Sequence, residues 1–159
     1  MSVKLHLNFL FSIFDITSVA SVNIVIFSLN QDPVDNSVPN WNKIVEQIRN
    51  RVSKNTTVNP SVTIVSATKD TLDEHDRSVF TNYKFISSGD SFNYFDENWH
   101  KATRGRYLNV YSLSSKDNNN IAEKLISDLQ GVYDKVCILN RNFIHRYQHS
   151  KSNFINLHE

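Results

Sequence analysis

A run of residues between His75 and Asn93 has the types and spacing to handle a phosphate group. Successive side chains of a strand alternate faces. Read as a strand, this run puts His75 and Arg77 on one face with Val79, Thr81 and Tyr83, and Asp76, Ser78, Phe80 and Asn82 on the other. A neutral imidazole can attack phosphorus or accept a proton, and a guanidinium two residues away offers a planar fork to phosphate oxygens. Downstream, Ser88, Gly89, Ser91 and Asn93 combine a tight turn, backbone amides and small polar side chains, the parts of an anion cradle. The candidate ligand-binding set is therefore His75, Arg77, Asn82, Ser88, Gly89, Ser91 and Asn93. Within it, His75 and Arg77 would be the catalytic pair if the chain is an enzyme.

A plainer reading stands beside this one. His75 and Arg77 can open a strand and be satisfied by Asp73, Glu74 or Asp76, with Ser88–Asn93 an ordinary hairpin turn. Tyr83, Phe85, Phe92, Tyr94 and Phe95 read as core and cross-strand packing before they read as a platform for stacked bases. Lys101, Arg104 and Arg106, with Trp99 and His100 nearby, form a local basic cluster able to touch a nucleic-acid backbone, although a solvated loop explains it as well.

His75-x-Arg77 followed by Gly89-x-Ser91-x-Asn93 resembles the phospholipase D superfamily motif, in which H-x-K precedes an Asp and a G-S-x-N-like segment. The similarity is to the divergent H-D-R members, such as the C-terminal domain of MIT-domain proteins and bacterial relatives, and it covers mainly residues 62 to 96. That resemblance implies a phospholipase D-like α/β fold and a binding module rather than a hydrolase. The departures point the same way: Arg77 stands at the family's lysine, Thr81 or Asn82 at its Asp, and Asp90 separates Gly89 from Ser91. The family's chemistry uses two histidines, one as nucleophile and one as general acid, so hydrolysis here would need a two-fold homodimer that brings two copies of His75 together. A literal H-S-K at His149–Lys151 has too little chain after it to complete a second motif.

The elements that must position these residues follow from composition and periodicity. The 159 residues, 40% hydrophobic and 21% charged, are enough for one domain with its own core. A net charge of +1 provides no global attraction to polyanions, and the single Cys137 excludes an intrachain disulfide or a cysteine-rich zinc site. Reduced cysteine suits a cytoplasmic protein. Residues 4 to 14 are apolar but broken by Asn8 and Ser12, which suggests a core-forming helix or strand, the helix favoured, rather than a leader or a membrane span.

The stretch from Ser21 to Leu29 predicts a central strand buried on both faces, and 30–40 a loop. Behind a capping Asn40, Trp41, Ile44, Val45, Ile48 and Val52 make a helical stripe opposite Lys43, Glu46, Arg49 and Lys54. A second buried strand is expected over Ser61–Ala67, which implies a right-handed crossover and a parallel pair. Residues 73 to 96 read as two strands around the Gly89 turn, and Tyr107–Leu113 as another strand. Asp117 would cap a helix lined by Ile121, Leu125, Ile126, Leu129 and Val132, with a last strand at Val136–Leu139.

The expected architecture is thus a single α/β domain over residues 1–140, a mixed and mostly parallel sheet flanked by helices, with a polar tail at 141–159. The expected function is a non-catalytic binding or regulatory module for a phosphate-bearing ligand or a partner protein. Two alternatives stay open: a metal-independent phosphodiesterase or nuclease acting as a homodimer through His75, and an interaction subunit of a larger bacterial complex. Nucleic acid remains open as a partner. No cofactor or metal is expected, because the sequence lacks H-E-x-x-H, D-x-K and a glycine-rich phosphate loop.

Overall fold

In the computed structural model the described residues are 21–29, 40–54, 56–72, 77–88, 108–139, 141–147 and 154–157. They form an α/β fold with two three-stranded sheets and two helices, in the order β1 (Asn23–Leu29), α1 (Trp41–Ser53), β2 (Ser61–Ala67), β3 (Arg77–Phe80), β4 (Lys84–Ser88), β5 (Leu108–Ser112), α2 (Lys116–Leu139) and β6 (Ile144–Tyr147). The chain divides into two compact units, Met1–Leu72 with Leu129–Glu159, and Asp73–Asp128.

In the first unit, α1 forms where a 3.6-residue apolar period follows a capping residue. The Asn40 side chain accepts a hydrogen bond from Lys43 N at 3.1 Å, which satisfies one of the open amides of the first turn. Ile44, Val45, Ile48 and Val52 are buried and pack with Val62 and Ile64 of β2; Val22, Ile24, Ile26, Trp41 and Tyr147 complete this cluster. Each such aliphatic side chain contributes about 1.5–3 kcal/mol by leaving water.

Strands β1 and β2 pair in parallel from Asn23↔Ser61 to Leu29↔Ala67, as a strand, helix, strand order requires. Their common start is pinned by Ser61 Oγ donating to Asn23 Oδ1 at 2.7 Å and Ser61 N donating to Val22 O at 3.0 Å.

The sheet order is β1-β2-β6, so β2 is the central strand and all seven of its residues are buried. By contrast β1 is mostly half-buried, because β2 is its one partner among the described residues. Among the described residues β1 thus stands at the edge of this sheet, where the sequence led to the expectation of a central strand over 21–29.

In the second unit, β3 pairs antiparallel with β4 and β4 with β5. Thr81 closes the β3–β4 hairpin: its amide donates to Lys84 O at 2.9 Å, and its Oγ1 accepts from Lys84 N at 2.9 Å and Tyr83 N at 3.2 Å. Side chains paired across antiparallel strands share a face. Phe80, Phe85 and Tyr111 form a ring column across the three strands, with centroids 4.8 Å and 5.5 Å apart. At the start of α2, Asn119 N bonds to Ser115 O at 2.9 Å, and Asn118 Nδ2 donates to Ser112 O at 3.0 Å.

Several expectations change. A turn at Thr81–Lys84, stabilised by hydroxyl-to-amide bonds, divides the stretch before Gly89 into β3 and β4, and the expected Gly89 turn lies outside the described residues. One of the four strand pairings is parallel, so the first sheet is mixed and the second antiparallel. Helix α2 begins at Lys116, with Asp117 inside its first turn, where the carboxylate meets the positive end of the helix dipole. Its buried side is Ala122, Tyr133 and Val136, whereas Ile121 is 55% exposed. The apolar run Val136–Leu139 is the end of this helix, not a strand. A four-residue apolar run has no period by which helix and strand differ, and continuity with the preceding turns decides it.

Finally, the stretch assigned to a polar tail contains β6, antiparallel to β2, and Ile155, which is 4% exposed. Asn156 N donates to Gln130 Oε1 at 2.7 Å and ties this segment to α2 within the first unit. The expected helix at 4–14, the loop at 30–39 and residues 89–107 lie outside the described residues.

Candidate functional site

The hairpin register places one end of each half of the motif side by side. Arg77, the first residue of β3, is the Cα partner of Ser88, the last residue of β4. The chain enters β3 directly from His75-Asp76 and leaves β4 directly into Gly89-Asp90-Ser91. Both halves thus start from the open end of one hairpin. Ser88 has no exposed surface, and Leu108 of β5 pairs with it on its other side. The open end is in this way anchored by three strands.

The candidate residues distribute as follows. Arg77 and Ser88 are brought together in register. Asn82 is not with them: it lies exposed in the turn at the closed end of the hairpin, five positions after Arg77 in the chain and beyond the end of β3. At about 3.3 Å per strand residue this separates its backbone from the open end by roughly 15 Å. The alternation that puts Asn82 on a strand face stops at Phe80, where β3 ends. His75, Gly89, Ser91, Asn93, Lys101, Arg104 and Arg106 lie outside the described residues.

A second group of polar and aromatic side chains sits in the first unit, where the sequence pattern suggested a tail. His145 and Tyr147 are two apart on β6 and face the side of the sheet that α1 covers, since their partners Ile64 and Val62 belong to the α1 cluster. The Trp41 ring lies with its centroid 6.2 Å from that of His145, tilted by 39°. The Tyr147 hydroxyl donates to Asn42 Oδ1 at 2.8 Å. Burial pushes the His145 pKa below that of a free imidazole and the Tyr147 pKa above that of a free phenol. His145 is therefore a neutral imidazole at neutral pH, able to accept a proton or a hydrogen bond.

On the opposite face, Arg146 Nη2 donates to the Tyr133 hydroxyl at 2.7 Å. Burial and a hydrogen bond with Cys137 hold the Tyr133 pKa above its usual value, against the pull of Arg146. Alternation over Ile144-His145-Arg146-Tyr147 is the sequence signal that finds β6. It is short, and it follows a 3-10 turn at Arg141–Phe143 rather than a glycine or proline.

Among the described residues no group of three His, Cys, Asp or Glu side chains could hold a metal ion. No helix among them is long and apolar enough to cross a membrane. No protein-family model, curated protein or solved structure matches the chain.

Proposed function

We propose that this chain is a non-catalytic, phospholipase D-like binding module that takes a phosphate-bearing ligand or a phosphate-bearing partner protein at the open end of the β3–β4 hairpin. One observation carries the reading: the Arg77↔Ser88 pairing, which sets the last residue of H-D-R level with the first residue of S-G-x-S-x-N. A guanidinium and an imidazole entering β3, with hydroxyls and a glycine leaving β4, supply charge-assisted donors of the kind that bind phosphate oxygens. Arg77 in place of the family's lysine favours bidentate holding over proton transfer, because a guanidinium does not give up its proton.

The test is binding of a fluorescent phosphate monoester to the full chain, and to variants His75→Ala, Arg77→Ala and the double variant. The expected result is weakening of about tenfold or more for each single change, as for loss of a charge-assisted hydrogen bond. Unchanged binding in the double variant would sink the proposal. The same proteins, given a phosphodiester without metal, read the alternative: EDTA-resistant cleavage lost in His75→Ala would make the module a phosphodiesterase.

A further inference from the structure

We propose that the carboxyl ends of the parallel strands β1 and β2 form a second binding site, for a small ligand carrying one oxyanion group, with the Ser66 hydroxyl as its buried donor. Ser66 is 3% exposed and its Oγ has no hydrogen-bond partner among the described residues. Buried hydroxyls are nearly always paired, so an orphan one calls for an acceptor from outside the fold. Thr63 Oγ1 is also without a partner among the described residues, but it lies in the middle of β2, away from the strand ends. Ser66 differs by being the penultimate residue of β2, at the end of a parallel pair where open α/β sheets bind ligands.

A second hydroxyl pairs with it across the strands, and a charged turn follows it in the chain. Ser28, the Cα partner of Ser66 on β1, is half-buried, so the two-hydroxyl row runs from a buried hydroxyl to a partly exposed one. The Ser28 hydroxyl reaches the Leu29 carbonyl at 3.4 Å, the outer limit of a hydrogen bond, and is available to a better acceptor. Past β2 the chain turns at once: Thr71 N and Leu72 N both bond to Thr68 O, at 3.0 Å and 2.9 Å, and the Thr68 and Thr71 hydroxyls are 3.2 Å apart. That turn holds Lys69 exposed, three positions after Ser66. Asp70 follows it, also exposed, so the turn carries no net charge. Two hydroxyl donors, one ammonium and one opposing carboxylate suit a single phosphate or carboxylate group and disfavour a polyanion.

The experiment is a nitrogen-15 NMR titration of the full chain with inorganic phosphate and, separately, with acetate at constant ionic strength. Saturable shifts of the Ser28, Ser66 and Lys69 amides are expected, and the probe that produces them names the oxyanion. In Ser66→Ala the affinity falls about tenfold or more. The urea midpoint stays level or rises, because no bond within the fold is lost. A variant that binds as wild type does, or one with a lower midpoint, overturns the proposal, as does the absence of saturable shifts with both probes. The His75→Ala/Arg77→Ala double variant keeps these shifts, which separates failure here from failure of the hairpin site.

Discussion

Replacing Gly131 by Ala should stabilise the protein, and the size of the effect follows from the local geometry. Gly131 lies inside α2, and a Cβ built on it meets nothing within 4 Å. Its backbone is not in the left-handed region, so alanine carries no strain there. What remains is the backbone freedom that glycine has in the unfolded chain and alanine has less of, which favours the folded helix by about 0.5–1 kcal/mol. For a chain of this length that corresponds to a rise in Tm of about 1–4 °C.

Urea unfolding followed by circular dichroism measures the effect, read as a higher midpoint at unchanged slope. The substitution also tests whether the helix runs unbroken from Lys116 to Leu139. If α2 ended early and Val136–Leu139 were a strand, Gly131 would sit in a connection and alanine would bring no gain or a loss. An unchanged or lowered midpoint would refute the continuous helix.

Further tests bear on packing and titration. Ile48→Ala removes a side chain 1% exposed in the α1 cluster and should cost about 2–5 kcal/mol in urea unfolding. Tyr133→Phe takes away one acceptor of the Arg146 guanidinium and should cost about 1 kcal/mol, with Arg146→Ala adding less in the double variant than alone. Thr81→Ala removes the hydroxyl that accepts from Lys84 N and Tyr83 N, and should loosen the hairpin by about 1 kcal/mol, seen as faster amide exchange at Lys84. His145 has a folded pKa below its unfolded value, so in that interval the unfolded chain binds the proton and the folded chain does not. Stability should therefore be full above the free-imidazole pKa of about 6.5 and fall as pH drops below it, with His145→Phe showing a shallower fall over the same range.

Much of the fold was legible where local chemistry and periodicity agree. Helix α1 is written in its Asn40 cap and the Ile44, Val45, Ile48 and Val52 stripe, and β2 in an uninterrupted apolar and β-branched run. A strand, helix, strand order then implies the parallel pair β1–β2. What the tertiary structure decided are pairings between distant segments. Val136–Leu139 stays helical because α2 continues through it, and Ile144–Tyr147 becomes a strand because β2 offers it a free edge. The first has no local signal and the second only a four-residue alternation, too short to separate the two periods.

The same holds for the sites. The residue types of the hairpin motif stand in the sequence, but the Thr81 turn sets the register that pairs Arg77 with Ser88 and sends Asn82 to the far end. His145 and Ser66 look unremarkable in a linear reading. One is placed beside Trp41, and the other is buried without a hydrogen-bond partner among the described residues, by a sheet order that joins residues as far apart in the chain as Ile64 and His145. Chemistry of single residues is local, whereas burial and register are properties of the packed chain.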